Sequence, residues 1–161
     1  MHKRIDHRPY PASAYDEEWC LKQPLPLWLA VLFLTRALLL PLLMGLGHYV
    51  DVNPALLQSL RADWEAAQLL PALIALPVAA AAWRRVASAG AAVRGVWRRG
   101  RALLLLATAV DLALNLAALR HPGNGIPLPL LFAALDLYAA GYLTFTRRVR
   151  DAFAEFPGAP G

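Results

Sequence analysis

The stretch from Ala102 to Leu119, ALLLLATAVDLALNLAAL, decides the fold of this chain. At 1.5 Å per residue it extends over about 27 Å as a helix, close to the ~30 Å thickness of a bilayer's hydrocarbon core. A carboxyl group, that of Asp111, lies in its middle. An ionisable residue at bilayer depth is costly and is usually paired. The stretch therefore predicts a transmembrane helix with a charged group that needs a partner.

Three further apolar stretches have similar lengths, at residues 25–46, 66–83 and 126–146. Hydrophobic residues make up 58% of the chain, above the ~45–50% of soluble domains. We therefore predict an all-α, polytopic membrane protein with a four-helix transmembrane domain at residues 25–146. A polar N-terminal arm, residues 1–24, precedes it, and a basic C-terminal tail, residues 147–161, follows it.

The segment between the first two spans begins a helix of its own. Asn53 is a good N-cap, and Pro54 suits the first helical position. From about residue 54 to 65 the apolar side chains share one face, which predicts a short interfacial helix between spans 1 and 2.

Basic residues are distributed unevenly between the two sides of the predicted bundle. The arm, the tail and an arginine-rich segment at 84–101 together hold thirteen Lys and Arg residues, against two in the other loops. This positive-inside pattern predicts that both termini are cytoplasmic. We interpret segment 84–101 as a loop, with Trp83 and Trp97 at interface depth. Nucleic-acid binding is disfavoured because the arginines flank apolar stretches and do not cover one face.

Arg36, Asp111 and Asp136 lie at similar predicted depths, about 14 to 16 Å from the basic side. Asn115 is one turn beyond Asp111 on the same helix face. We predict a buried polar cluster of Arg36, Asp111, Asn115 and Asp136, in which Arg36 pairs with either aspartate. One guanidinium against two carboxylates leaves a formal charge of −1. Either one aspartate is protonated at rest, or a cation or solvent enters.

The role of this cluster remains open between two interpretations. Buried polar pairs can specify which helices pack together, which would make the cluster structural. Alternatively, it handles protons or a solute, or docks a lipid headgroup or a partner helix. Two stripes of small residues, Ala75/Ala79/Ala82 and Ala109/Ala113/Ala117, would let neighbouring helices approach closely.

The basic residues next to the spans are predicted to contact anionic lipid headgroups. We name for this role Arg84, Arg85, Arg98, Arg99, Arg101, Arg147 and Arg148. The four histidines are scattered, and Cys20 is the only cysteine, so we expect neither a metal site nor a disulfide. No catalytic motif is present, and we expect no enzymatic activity and no cofactor.

Two flanking segments resemble a known family. The first contains Tyr10, Tyr15-Asp16, Leu21-Lys22, Pro24, Leu27-Trp28, Phe33-Leu34 and Arg36, and the second is RRVRDAFAEFP at residues 147–157. Together they resemble the YfeZ-like family of small bacterial inner-membrane proteins, a domain of unknown function. The resemblance implies four spans and the bacterial inner (cytoplasmic) membrane. It implies no activity and no catalytic residues.

These flanks suggest that the arm packs on the tail beneath the bundle, with their aromatic residues in a small cluster. Lys22, Arg147 and Arg150 would meet Asp16, Asp151 or headgroups. The function that we favour is a non-enzymatic membrane bundle that acts through a bound lipid, a partner membrane protein or a homo-oligomer. The alternative is a small proton-coupled or solute transporter subunit that uses Arg36, Asp111 and Asp136.

Overall fold

The computed structural model describes residues 10–16, 20–38, 66–86, 88–120 and 127–157, together with Leu42 and Gly45. In these residues the chain forms five α-helices and two short 3-10 turns, at Ala12–Ala14 and Ala66–Gln68. The helices are α1 (Leu25–Leu34), α2 (Leu69–Trp83), α3 (Ala91–Ala118), α4 (Pro127–Phe145) and α5 (Arg147–Ala154).

Three helical segments are long and apolar enough to cross a membrane: Ala66–Trp83, Ala91–Ala118 and Leu128–Phe145. The predicted all-helical architecture is thus confirmed in the described residues, with three helices that could span a membrane, while the count of four spans stays a prediction. The fourth, at residues 25–46, is represented by α1, which is shorter, followed by a turn at Thr35 and further helical residues at 36–38. The rest of that span and the interfacial helix at 54–65 lie outside the described residues, apart from Leu42 and Gly45.

Helix α3 forms the centre of the bundle, since it packs against α1, α2, α4 and α5. Its buried residues recur every three or four positions along one face, which is the spacing of a helix that contributes to a core. They are Trp97, Gly100, Leu104, Ala107, Thr108, Asp111 and Asn115. This single face carries the apolar core at one end and the polar cluster at the other.

The arginine-rich segment differs from its prediction as a loop. Helix α3 begins at Ala91, so residues 91–101 are its first turns, and the connection from α2 covers only residues 84–90. The segment lacks proline, its Ala and Arg residues favour helix, and Trp97 and Gly100 continue the buried face. The side chain of Trp97 is fully buried within the protein, and its predicted interface depth stays a prediction. Trp83, in contrast, is 85% exposed.

The two stripes of small residues have different environments. Ala75 is fully buried, and Ala79 and Ala82 pack against the same core, so the first stripe is used inside the bundle. Ala109, Ala113 and Ala117 are exposed on the outer face of α3. The second stripe therefore makes no close helix contact among the described residues.

Candidate functional site

Arg36, which lies just after α1, and Asp111, in the C-terminal half of α3, form an ion pair with two hydrogen bonds. Arg36 Nη1 donates to Asp111 Oδ2 at 2.6 Å, and Nη2 donates to Oδ1 at 3.1 Å. Such fork-to-fork geometry is the strongest arrangement of a guanidinium and a carboxylate. Arg36 Nη1 also donates to the carbonyl of Phe33, 3.0 Å away. The Arg36 pairing predicted from sequence depth is therefore present, and Asp111 is the partner.

Two aromatic rings cover the guanidinium. Its central carbon lies 4.2 Å from the centroid of the Phe33 ring and 4.5 Å from that of Phe132 on α4. The Arg36 side chain keeps 26% exposure while that of Asp111 keeps 4%. Aromatic faces attract a cation and shield it from an apolar surrounding. The sequence interpretation missed Phe132, although Phe33, one helical turn before Arg36, was a detectable signal.

Asp136 and Asn115 form the second half of the cluster. Asn115 Nδ2 donates to Asp136 Oδ2 at 2.9 Å, and Asp136 is completely buried. Its carboxyl is close enough to Asp111 and Arg36 to interact with both. Among the described residues, no donor reaches the other oxygen, Asp136 Oδ1. All four predicted cluster residues are thus together, contributed by α3, α4 and residue 36.

The arginines predicted to contact headgroups have different environments. Two are bound to backbone carbonyls: Arg101 donates to Leu143 and Thr144 at the end of α4, and Arg85 donates to Leu21 and Glu155. Unpaired carbonyls at a helix end are suitable acceptors for such cations. Arg148 is half-buried, and the exposed members are Arg84, Arg98, Arg99 and Arg147. Their contact with lipid remains a prediction.

The N-terminal arm packs on the C-terminal tail, as the flanks suggest. Tyr10 Oη donates to Asp151 Oδ2 at 2.8 Å, and the Leu21 amide donates to Glu155 Oε2 at 2.8 Å. Leu21 is fully buried in a small cluster with Ala14, Tyr15 and Ala152. The observed contacts include Tyr10 with Asp151 and Lys22 Nζ with the Ser13 carbonyl, while the predicted ion pairs and headgroup contacts of Lys22, Arg147 and Arg150 stay predictions.

Trp97 connects this arm–tail layer to the membrane bundle. Its indole N–H donates to the carbonyls of Ala152, at 3.0 Å, and Glu155, at 3.1 Å. Its ring packs at 4.6 Å on Phe153, and the guanidinium carbon of Arg85 lies 5.0 Å above it. A single buried indole therefore holds α5 against the first turns of α3.

An open depression of about 350 Å³ lies where the arm meets the ends of α1 and α2. Its polar lining includes two cations, Lys22 and Arg85, and one acid, Asp16, with Trp28 as the aromatic member. The Asp16 carboxylate accepts a hydrogen bond from the Cys20 amide at 2.8 Å. Trp28 belongs to α1, whose first residue, Leu25, is exposed. The charged side chains of the depression are complementary to a phospholipid headgroup, and the Trp28 ring gives it an apolar wall.

No group of three or more His, Cys, Asp or Glu side chains that could hold a metal ion is found in the described part of the chain. The polar cluster consists of an ion pair, a second carboxyl group and an amide. Cys20 is buried and reduced.

Comparison with known proteins places the chain in a family without an established activity. No curated protein and no solved structure matches it. The sequence profile of a family described as a protein of unknown function, DUF2919, matches residues 10–155. The match includes the first flank, the second flank as far as Glu155, and all four residues of the polar cluster. It agrees with the uncharacterised family expected from the flanks, while the YfeZ-like name and the bacterial inner membrane remain predictions. The chain belongs to the DUF2919 family.

Proposed function

We propose that this protein is a non-enzymatic membrane bundle that acts through a bound lipid or a partner membrane protein. In this proposal the buried polar cluster of Arg36, Asp111, Asn115 and Asp136 has a structural role, because it holds the helices in one arrangement. The observation that carries the proposal is the mutual pairing of the buried charges. Arg36 is matched to Asp111 by two hydrogen bonds, and Asp136 is bound by Asn115. A substrate site would keep binding groups available, whereas these groups mostly bind each other.

The cluster joins three segments that are distant in the chain. Residue 36 follows α1, Asp111 lies in α3 and Asp136 in α4. In an apolar medium, any other packing of these helices would leave a charge without a partner, at a cost of several kcal/mol. The cluster therefore selects one arrangement of the spans, which in turn positions the surfaces at the arginine-rich end.

The surface that we propose to bind lipid is the depression beside Trp28. Lys22 and Arg85 would donate hydrogen bonds to a phosphate, and Trp28 has the amphipathic ring that favours the membrane interface. Arg85 is held in place by two backbone carbonyls, so its charge is preorganised. The exposed arginines around the same end would add nonspecific attraction for anionic lipid.

Affinity purification in a mild detergent tests this function, with co-purifying lipids and proteins both identified by mass spectrometry. We expect phospholipid to be retained, and Lys22→Gln to reduce its amount by at least about twofold. The matched control is Arg120→Gln, which removes an exposed cation outside the depression and should have no effect. Equal retention by all three proteins would exclude the depression as the lipid site. A bundle that retains neither lipid nor a protein partner would contradict the proposed function.

The second candidate is a small proton-coupled or solute transporter subunit that uses Arg36, Asp111 and Asp136. The observation in its favour is the unpartnered oxygen of Asp136, which is buried beside a second carboxyl group. Reconstitution in vesicles that enclose a pH-sensitive dye discriminates the two functions. Proton movement that needs Asp136 would favour transport, and its absence with a retained lipid or partner would favour the bundle.

A further inference from the structure

Among the described residues, the hydrogen bonds of Asp136 leave one of its two carboxyl oxygens without a donor. Oδ2 accepts from Asn115, but no donor from the described residues reaches Oδ1. The whole side chain is excluded from solvent. An unpartnered carboxylate oxygen in this position would be severely destabilising. A carboxylic acid at the same position carries its own donor on Oδ1.

The charges around Asp136 indicate where that donor would point. The charged groups that interact with it are Arg36 and Asp111, and Asn115 is the neutral neighbour. Both Nη atoms of Arg36 are already directed at Asp111. The negative charge of Asp111 is therefore balanced by Arg36. Asp111 can still accept a further hydrogen bond, since an ionised carboxylate offers about four lone-pair sites.

We propose that the Asp111–Asp136 pair binds one proton, carried on Oδ1 of Asp136 and donated to the carboxylate of Asp111. Arg36 and Asp111 then form a neutral ion pair, Asp136 is a neutral acid, and the formal charge of −1 disappears. No cation is needed. The proton adds a hydrogen bond between α3 and α4 to that made by Asn115. The assignment is independent of the proposed function, because both a scaffold and a transporter could contain it.

Two substitutions of the same chemical type separate the aspartates. In Asp136→Asn, the amide oxygen can accept from Asn115 and the amide nitrogen can donate to Asp111, so every proposed hydrogen bond is retained. In Asp111→Asn, Arg36 loses its counter-ion while remaining charged, since guanidinium does not discharge. We expect the melting temperature of purified Asp136→Asn to stay within about 2 °C of the parent. That of Asp111→Asn should fall by about 6 °C or more, as for a broken buried ion pair.

Infrared spectroscopy of the parent protein and Asp136→Asn reports the proton itself, even if Asp111→Asn does not fold. At neutral pH the parent should show the C=O stretch of a protonated carboxylic acid, shifted in deuterium oxide. The band should be absent in Asp136→Asn. A parent without this band, or a band that persists in Asp136→Asn, would overturn the proposal. So would an Asp136→Asn variant that is destabilised as much as Asp111→Asn or that fails to fold.

Discussion

At the scale of single residues, close contacts decide which positions tolerate change. A Cβ atom added at Gly100 would lie 2.5 Å from Phe153 Cε1 and 3.1 Å from Val78 Cγ1. The Phe153 ring is itself packed on Trp97, so it has little room to move. Gly100 therefore permits α2, α3 and α5 to meet at one point. Gly95, in the same helix, has nothing within 4 Å of the equivalent position.

This difference gives a matched pair of substitutions. We expect Gly100→Ala to lower the free energy of unfolding by about 1–3 kcal/mol, the usual cost of overpacking a core. Gly95→Ala should be neutral or stabilising by up to about 1 kcal/mol, because alanine favours helix. Denaturant titration in detergent measures both. Equal effects of the two substitutions would show that α5 does not pack closely on Gly100.

The indole of Trp97 provides a second prediction at this scale. Trp97→Phe keeps an aromatic ring against Phe153 but removes the indole N–H that binds the carbonyls of Ala152 and Glu155, of which Glu155 keeps its hydrogen bond from Arg85. We expect a loss of about 1–3 kcal/mol, together with faster proteolysis of the tail. Trp83→Phe is the control, because Trp83 is 85% exposed, and it should have little effect. A tail that is equally resistant in both variants would contradict the role of Trp97.

Sequence reasoning at the residue scale succeeded where a rule of membrane energetics applied. Arg36 and Asp111 were recognisable because charges within apolar stretches require partners. The choice of Asp111 over Asp136 was not recognisable, since the rotation of α3 and α4 depends on packing across the bundle. The burial of Trp97 was missed because its polar neighbours concealed the buried face that it shares with Leu104. The helical spacing of Trp97, Gly100 and Leu104 is visible in the sequence. It crosses the predicted boundary between the loop at 84–101 and the span that begins at 102.

At the scale of elements, the main difference from the sequence prediction is the length of α3. The helix begins at Ala91, eleven residues before the predicted span at 102. A helix whose hydrogen bonds continue without a break is more stable than a loop followed by a new start. The extra turns provide the surface on which α5 packs. The bounds of the α2 span, 66–83, were predicted correctly because its apolar character ends abruptly at Trp83.

The contact between arm and tail predicts a pH-dependent signal. The hydrogen bond from Tyr10 to Asp151 raises the pKa of the Tyr10 phenol above its usual value of 10.0. The native state therefore holds this proton more tightly than the unfolded chain does, so the contact stabilises at pH values below about 10. Its contribution is lost as the pH rises through the raised pKa. Ultraviolet titration of the tyrosines should therefore include a late-ionising component that belongs to Tyr10.

Two variants assign this late tyrosine. Tyr10→Phe should remove it from the titration, and Asp151→Asn should return the pKa of Tyr10 towards its usual value. Both variants should also loosen the arm, measured by proteolysis near Lys22. A titration that is unchanged in Asp151→Asn would mean that the arm does not rest on α5 in solution.

At the scale of the whole molecule, the arrangement of charge predicts orientation. The starts of α1 and α3 and the ends of α2 and α4 meet at the arginine-rich end, where the arm and tail are joined. In a Cys20→Ala background, a cysteine at Ser88 should be protected from an impermeant reagent added outside intact cells. A cysteine at Asn124 should be labelled. The reverse pattern would contradict cytoplasmic termini.

The central claim is that Arg36 and Asp111 hold the spans together as an ion pair. The most direct test is a double-mutant cycle of thermal stability in detergent with Arg36→Leu, Asp111→Leu and the double variant. Asp111→Leu should be the worse single substitution, at about 3–5 kcal/mol, because it leaves a guanidinium that cannot discharge. Arg36→Leu should cost less, since Asp111 can protonate. We predict that the double variant recovers much of the loss, whereas a double variant no more stable than the worse single would contradict direct pairing.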